Sequence, residues 1–445
     1  MSSGARTDAR RRAVLLRVVS ALPAVLVALV LYAWLPLAAA SVALGLAGAA
    51  AVGGLALVLV LGFERSAVVL LAAAFATAPL NAVRPVPGLG FVTLADLLLL
   101  LAIGLLLPVL VTRRLSGQAL LVGGALGVVV VSLVTSVLAP DPLTSLNTVM
   151  RLVVGALALP FVFAVWRAGR TVLALLAGSY VLGNVFNVIW SVTLGDVSDE
   201  GRRIGLSMHV NILGFCAMLA VALVPYLLTV VPVRWRWTVV LAGGVCAYGV
   251  WTSGSRAALV VTVAVAVLYP VVARSVPVAI ALFGGGVAAL WFLGSALDQG
   301  RAASGTIGRI FGAGTASASD LAREIEAQRA IDEFLRHPVI GNGFSADLLE
   351  AHNIYLQIAA AGGLLLVACY LVLLAAVVVQ PLRLDPRHHL LVLPAAAYLL
   401  IGPLTPLLWD RYIWCVLALP FLLARPRQAD AATDEDSSTE ELVTS

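Results

Sequence analysis

Apolar runs of roughly 17 to 25 residues recur along the whole chain, each long enough to cross a hydrocarbon core of about 30 Å as a helix. No alternating β-barrel pattern is present, which leaves the helix as the only spanning element, because lipid offers backbone groups no partner. The fold expected is therefore an all-α polytopic membrane protein, a bundle of about 12–14 transmembrane helices. Candidate spans fall near 13–34, 37–61, 66–80, 94–111, 118–138, 148–166, 171–194, 210–231, 237–252, 256–273, 276–294, 354–379, 389–408 and 412–424. Composition agrees: 61% of residues are hydrophobic and 11% charged, whereas charged residues approach a quarter of a soluble domain.

One long hydrophilic excursion interrupts this pattern, and it organises the chain. A basic cytoplasmic amino terminus (1–12) precedes transmembrane helices across 13–294, then a long extracytoplasmic loop (295–353), further transmembrane helices (354–424) and an acidic, disordered cytoplasmic tail (425–445). The first apolar segment resembles a signal peptide in outline, but the many spans behind it favour an uncleaved first helix.

Every one of the 28 Lys+Arg positions is arginine, so Schiff-base and Walker lysines are excluded. The net charge of +5 sits mostly at helix ends, where it sets topology and is no sign of nucleic acid. Arg65, Arg113, Arg114, Arg167, Arg170, Arg234, Arg236, Arg274, Arg383 and Arg387 fall in alternate short loops. By the positive-inside rule those loops are cytoplasmic, as are both termini. The outward set is then 81–93, 139–147, 195–209, the turn near Ser253, the long loop and the turn at Asp410. Cys216, Cys246, Cys369 and Cys415 lie within apolar runs, without CxxC spacing, and read as small buried hydrophobes.

Arginines in outward loops run against the rule and need a reason. Arg202 and Arg203 precede a span, Arg256 closes the turn Thr252-Ser253-Gly254-Ser255-Arg256, and Arg411 follows Asp410. Long loops are exempt, so Arg301, Arg309, Arg323, Arg329 and Arg336 say less singly. Together these groups can form a cationic pocket at the outer boundary, and guanidinium pairs phosphate oxygens bidentately, so a lipid-linked phosphate or diphosphate is the natural ligand. The plainer alternative is headgroup contact or pairing with Asp199, Glu200 or Asp410, and for Arg411 beside Asp410 it is the preferred one.

Within the loop, Ser319-Asp320 can cap a helix running to about Arg336, ahead of Pro338. Leu321, Ile325, Ile331, Phe334 and Leu335 give it an apolar stripe, while Arg323, Glu326 and Asp332 fall elsewhere. Such a helix lies flat, with its polar face over the site. His352 stands at the start of the next span, where an imidazole can take a proton from a hydroxyl as a general base. His209 and Asn211 can line the same pocket from the earlier loop. His337 shapes the loop before Pro338, and His388 and His389 look interfacial. No HExxH, paired carboxylates, Walker loop or GxSxG occurs.

Four blocks carry a family resemblance: Gly201-Arg202-Arg203-Ile204-Gly205 with Asn211; the Ser-Arg turn at Ser255-Arg256; Arg323 through His337-Pro338-Val339-Ile340-Gly341-Asn342-Gly343; and Ala351-His352-Asn353-Ile354-Tyr355-Leu356-Gln357 with Gly362-Gly363. In these the chain resembles the O-antigen ligase and polymerase superfamily of polytopic membrane glycosyltransferases, by motif over about 200–380 and by layout throughout. The resemblance implies a multi-pass enzyme of the bacterial plasma membrane. Such an enzyme moves a glycan from an undecaprenyl-diphosphate carrier to an acceptor hydroxyl at the extracytoplasmic face, by inversion, without metal or cofactor. His352 would activate the acceptor, and Arg203 (or Arg202), Arg323 and Arg256 would hold the diphosphate. His209, Asn211, Asn353 and Arg329 would line the pocket. Ligase and polymerase share these residues and differ in acceptor. A transporter or flippase of lipid-linked glycans is the rival, but ionisable groups inside spans and broken helices, its usual marks, are not evident beyond Pro403 and Pro406.

Overall fold

Backbone groups in a bilayer must be satisfied within their own segment, and the chain answers with helices. The computed structural model describes residues 53–54, 58–85, 92–198, 201–298, 316–344 and 351–424. The basic segment 1–12, the span at 13–34, most of that at 37–61, Asp199, Glu200, Arg301, Arg309 and the tail lie outside the described residues. Among those described there is no strand, only an isolated bridge between Val197 and Arg203.

In chain order the helices are α1 (Phe63–Thr77), α2 (Leu94–Thr112), α3 (Ala119–Leu138), α4 (Pro142–Trp166), α5 (Arg170–Thr193), α6 (Val210–Val230), α7 (Arg236–Thr252), α8 (Arg256–Ala273), α9 (Val276–Asp298), α10 (Ala316–Arg336), α11 (Ile354–Leu382), α12 (Val392–Ile401) and α13 (Arg411–Ala418). Seven of them (α2 to α6, α8 and α11) are long and apolar enough to cross a membrane, which makes this an all-α, multi-pass membrane protein.

Three boundaries differ from the expectation. Helix α4 begins at Pro142 and not near 148, because the Asp141 side chain accepts the Thr144 N–H and Pro142 occupies the first turn, where no amide partner is needed. The span expected over 389–408 shrinks to α12, since a 3₁₀ turn at Gly402–Leu404 and two prolines stop it. Helix α10 starts at Ala316, ahead of the Ser319-Asp320 pair.

The loops sort to two ends of the bundle. At one end, the Ala82 N–H donates to the Leu206 carbonyl (3.0 Å), Met208 N–H to Asn81 Oδ1 (2.8 Å) and Arg203 N–H to the Thr252 carbonyl (3.0 Å). At the other, Arg113 reaches the Trp166 carbonyl, Arg167 reaches Ser116, and Gly169 N–H donates to Leu422 (3.0 Å). Among the seven long apolar helices α6 is the most enclosed, packed against α5, α7, α8, α12 and α13.

The two glycine motifs explain each other. Helix α11 is broken at Gly363 (φ 61°, ψ −163°), which would orphan backbone groups in an apolar setting. The segment after α10 slots into the break and satisfies them. Asn342 and Gly343 N–H donate to the carbonyls of Ala360 (3.1 Å) and Ala361 (2.8 Å), while Leu364 N–H donates to Pro338 O (2.9 Å). The approach is so close that a Cβ on Gly341 would lie 2.4 Å from Ala361 backbone, and one on Gly363 would lie 2.3 Å from Val339. Asn342 also donates to Glu333 (2.7 Å), fixing the end of α10. The amphipathic helix is therefore stitched to the span that His352 introduces.

Candidate functional site

Four helix amino termini meet at the end of the bundle that carries the Ser253 turn. His209 caps α6, Ser255 caps α8, Asn353 caps α11, and Asp410 precedes α13. Each leaves amide N–H groups pointing outward and a partial positive charge, so their convergence favours anions before any side chain is counted. A cavity of about 420 Å³ opens among them, within the range of small-molecule sites. It is lined by His209 and Asn211 from α6, Arg256 from α8, Arg323 from α10, His352, and the segment Leu404 to Tyr412.

Local chemistry explains how each side chain arrives. Ser253 Oγ donates to the Val250 carbonyl (2.7 Å), closing α7, and Ser255 Oγ accepts from Ala258 N–H (3.4 Å), opening α8. Arg256, in the first turn of α8, forms a bidentate bridge with Asp320 of α10, one arm measuring 3.0 Å. Arg323 lies 3.8 Å from the same carboxylate. One aspartate thus tethers α10 to α8 and draws two guanidinium groups together, leaving the trio net positive. Helix α10 presents Arg323, Glu326 and Ala330 inward, with Leu321, Ile325 and Leu335 exposed.

His209 is held in a defined tautomer. Its Nδ1 accepts the Asn211 N–H (3.1 Å), so the neutral ring carries its proton on Nε2. Burial, then the charge of Arg202, then His352 all hold its pKa below the usual value. His352 lines the same cavity, which therefore carries two imidazoles.

The arginine pair of the earlier loop resolves into two different positions. Arg202 is buried; its Nε donates to the Ser253 carbonyl (2.9 Å) and its Nη2 to Asn211 Oδ1 (2.5 Å), directly behind the cavity lining. Arg203 Nη1 donates to the Ser191 carbonyl (3.2 Å), and both arginines line a separate small cavity with Tyr248 and Trp251. Arg323 and His352 line one cavity; Arg202 touches its lining through Asn211, and neither Arg202 nor Arg203 lines it.

Two further candidates do not line the cavity. Asn353 accepts from the N–H groups of Tyr355 (3.0 Å) and Leu356 (3.1 Å), so it caps α11. Arg329 is exposed and pairs with Glu326 (3.5 Å). Arg411 pairs with Asp96 (2.6 Å), a partner the sequence reading did not weigh; Asp96, folded back to cap α2 through Thr93, presents its carboxylate to it. His388 lies in the 3₁₀ turn before α12. It is buried against the ring of Tyr226, with centroids 5.8 Å apart.

The sequence reading took Asp410 only as a turn residue and a partner for Arg411; burial pushes it up to about 6, against the opposing pull of the Tyr412 hydroxyl and Arg411. That reading passed over Arg151, an ionisable residue well inside α4. Its place within a predicted span was signal enough, since charge at that depth is costly. Among the described residues, no three His, Cys, Asp or Glu side chains gather as a metal ion would require. Neither protein-family models nor curated proteins give a match to this chain.

Proposed function

We propose that the protein is a membrane glycosyltransferase that moves a glycan from a polyprenyl-diphosphate carrier to an acceptor hydroxyl at the extracytoplasmic face. The observation that carries this reading is the single cavity where four helix amino termini, Arg256, Arg323 and two histidines converge. Such an arrangement suits a diphosphate beside a base.

In this reading Arg323 holds the diphosphate, and Arg202 supports it through Asn211 from behind the wall. Arg256, bound to Asp320, positions α10 and adds positive potential. The acceptor oxygen attacks the anomeric carbon as its proton passes to the His352 imidazole. The bond from that carbon to the phosphate oxygen breaks, and the carrier diphosphate leaves with the electron pair. Arginines and helix dipoles stabilise that charge as it grows, the largest contribution to catalysis of this kind. His209, with its proton on Nε2, is placed to donate a hydrogen bond to bound oxygen. A ligase and a polymerase use the same donor cavity.

The test is His352→Ala in membranes supplied with lipid-linked glycan. Transfer should vanish while insertion and elution are unchanged; near-normal transfer would remove His352 as the base.

A second reading, transport of a lipid-linked glycan, is favoured by Arg151 inside α4 and by the break in α11, both features of transporters. Proteoliposomes without an energy source separate the two: product formation supports transfer, and movement of the carrier with no product supports transport.

A further inference from the structure

A second cavity, about 360 Å³, lies against the first and shares Trp409, Asp410 and Tyr412 with it as a wall. That wall is seated by a defect in α4. A π-helical turn at Val153–Leu157 brings Gly155 so close to the Trp409 carbonyl that a Cβ would lie 2.0 Å from it. Such turns mark functional positions often enough to prompt a search beside them.

The second cavity is cationic in an unusual way. Arg411 is matched by Asp96 at 2.6 Å. Arg84 and Arg151, which also line it, form no ion pair among the described residues; Arg84 donates only to the thioether of Met208, a weak acceptor. Arg151 stands nine residues after Pro142, about 14 Å along the helix axis. A guanidinium there is costly unless water or an anion meets it. Ala78, Ala95, Leu99 and Cys415 add apolar surface to the same lining.

We infer that this cavity is a second phosphoryl site, in which Arg84 and Arg151 grip the phosphate of a membrane amphiphile while the apolar surface takes the start of its hydrocarbon portion. Two guanidinium groups suit a doubly charged phosphoryl group, and the apolar surface suits a lipid better than a free ion. The inference goes beyond the transfer reaction and does not depend on it.

The full-length protein, purified in detergent, is titrated with dioctanoyl phosphatidate and the bound equivalents are counted by native mass spectrometry. Dioctanoylglycerol and inorganic phosphate serve as the other arms. The wild type should bind two equivalents, and the Arg84→Gln/Arg151→Gln variant should lose one or bind it at least roughly tenfold more weakly. Arg323→Gln should lose the other. Phosphate competing as well as the lipid supports the site and assigns it to the free anion; weaker competition assigns it to the headgroup.

An unchanged count in the double variant, or equal binding of dioctanoylglycerol, overturns the inference. If the first cavity has been misread, Arg323→Gln leaves the count intact while the double variant still loses one, so the two failures are distinguishable. Both arginines are exposed, and each single variant gives the same readout if the double variant does not fold.

Discussion

The two cavities on either side of Trp409-Asp410 use the same cation for different ends. The first joins guanidinium groups to two imidazoles and to the amino ends of α6, α8 and α11. The second has arginines and apolar surface but no histidine among its lining residues. Proton transfer near neutral pH needs a group that titrates there, and arginine does not. The first cavity is therefore equipped to bind and react, and the second only to bind.

The largest expected effect tests that division directly. His352→Ala should lower transfer by roughly a thousandfold, the scale of losing a general base, while leaving phosphatidate binding at the second cavity unaltered. Loss of both would mean the cavities are not separate sites. Next, Arg323→Lys keeps the charge but loses the fork. Transfer should fall roughly a hundredfold, measured as kcat, with little change at the Arg84–Arg151 side.

Asp320→Asn should cost less. The Arg256–Asp320 pair is partly exposed, with side chains 24% and 51% accessible, so its loss is worth about 1 kcal/mol, or roughly fivefold in transfer. A drop as large as that of Arg323→Lys would make the α10 tether part of the chemistry.

The smallest effect concerns the shared wall. With its pKa pushed up to about 6, Asp410 is neutral below that pH and gains charge as pH rises through it. Anion binding in both cavities should therefore weaken across that window. Asp410→Asn should flatten the profile and tighten binding about threefold at pH 7.5. If only one cavity responds, the wall is not electrostatically common to both.

Much of this architecture was legible in residue order. The spans at 94–111, 210–231 and 256–273 fall within a residue or two of α2, α6 and α8, because long apolar runs bounded by caps leave little freedom. His209, Asn211, Arg256, Arg323 and His352 could be grouped as candidates because each sits at a helix end or on the flat helix. What sequence could not give was direction. Arg202 and Arg203 are adjacent, yet the first reaches Asn211 in the cavity lining and the second reaches the Ser191 carbonyl. Pairings over long separations were equally hidden, as with Arg411 and Asp96. The break in α11 was readable only as Gly362-Gly363, and its purpose appears once the segment after α10 fills it.

The most direct measurement is an experimental structure of the protein with a polyprenyl diphosphate bound. The account predicts the diphosphate beside Arg323 in the larger cavity, with His352 on the same wall. Diphosphate seated instead beside Arg203, Tyr248 and Trp251, or bound with Arg323 turned away, would contradict it.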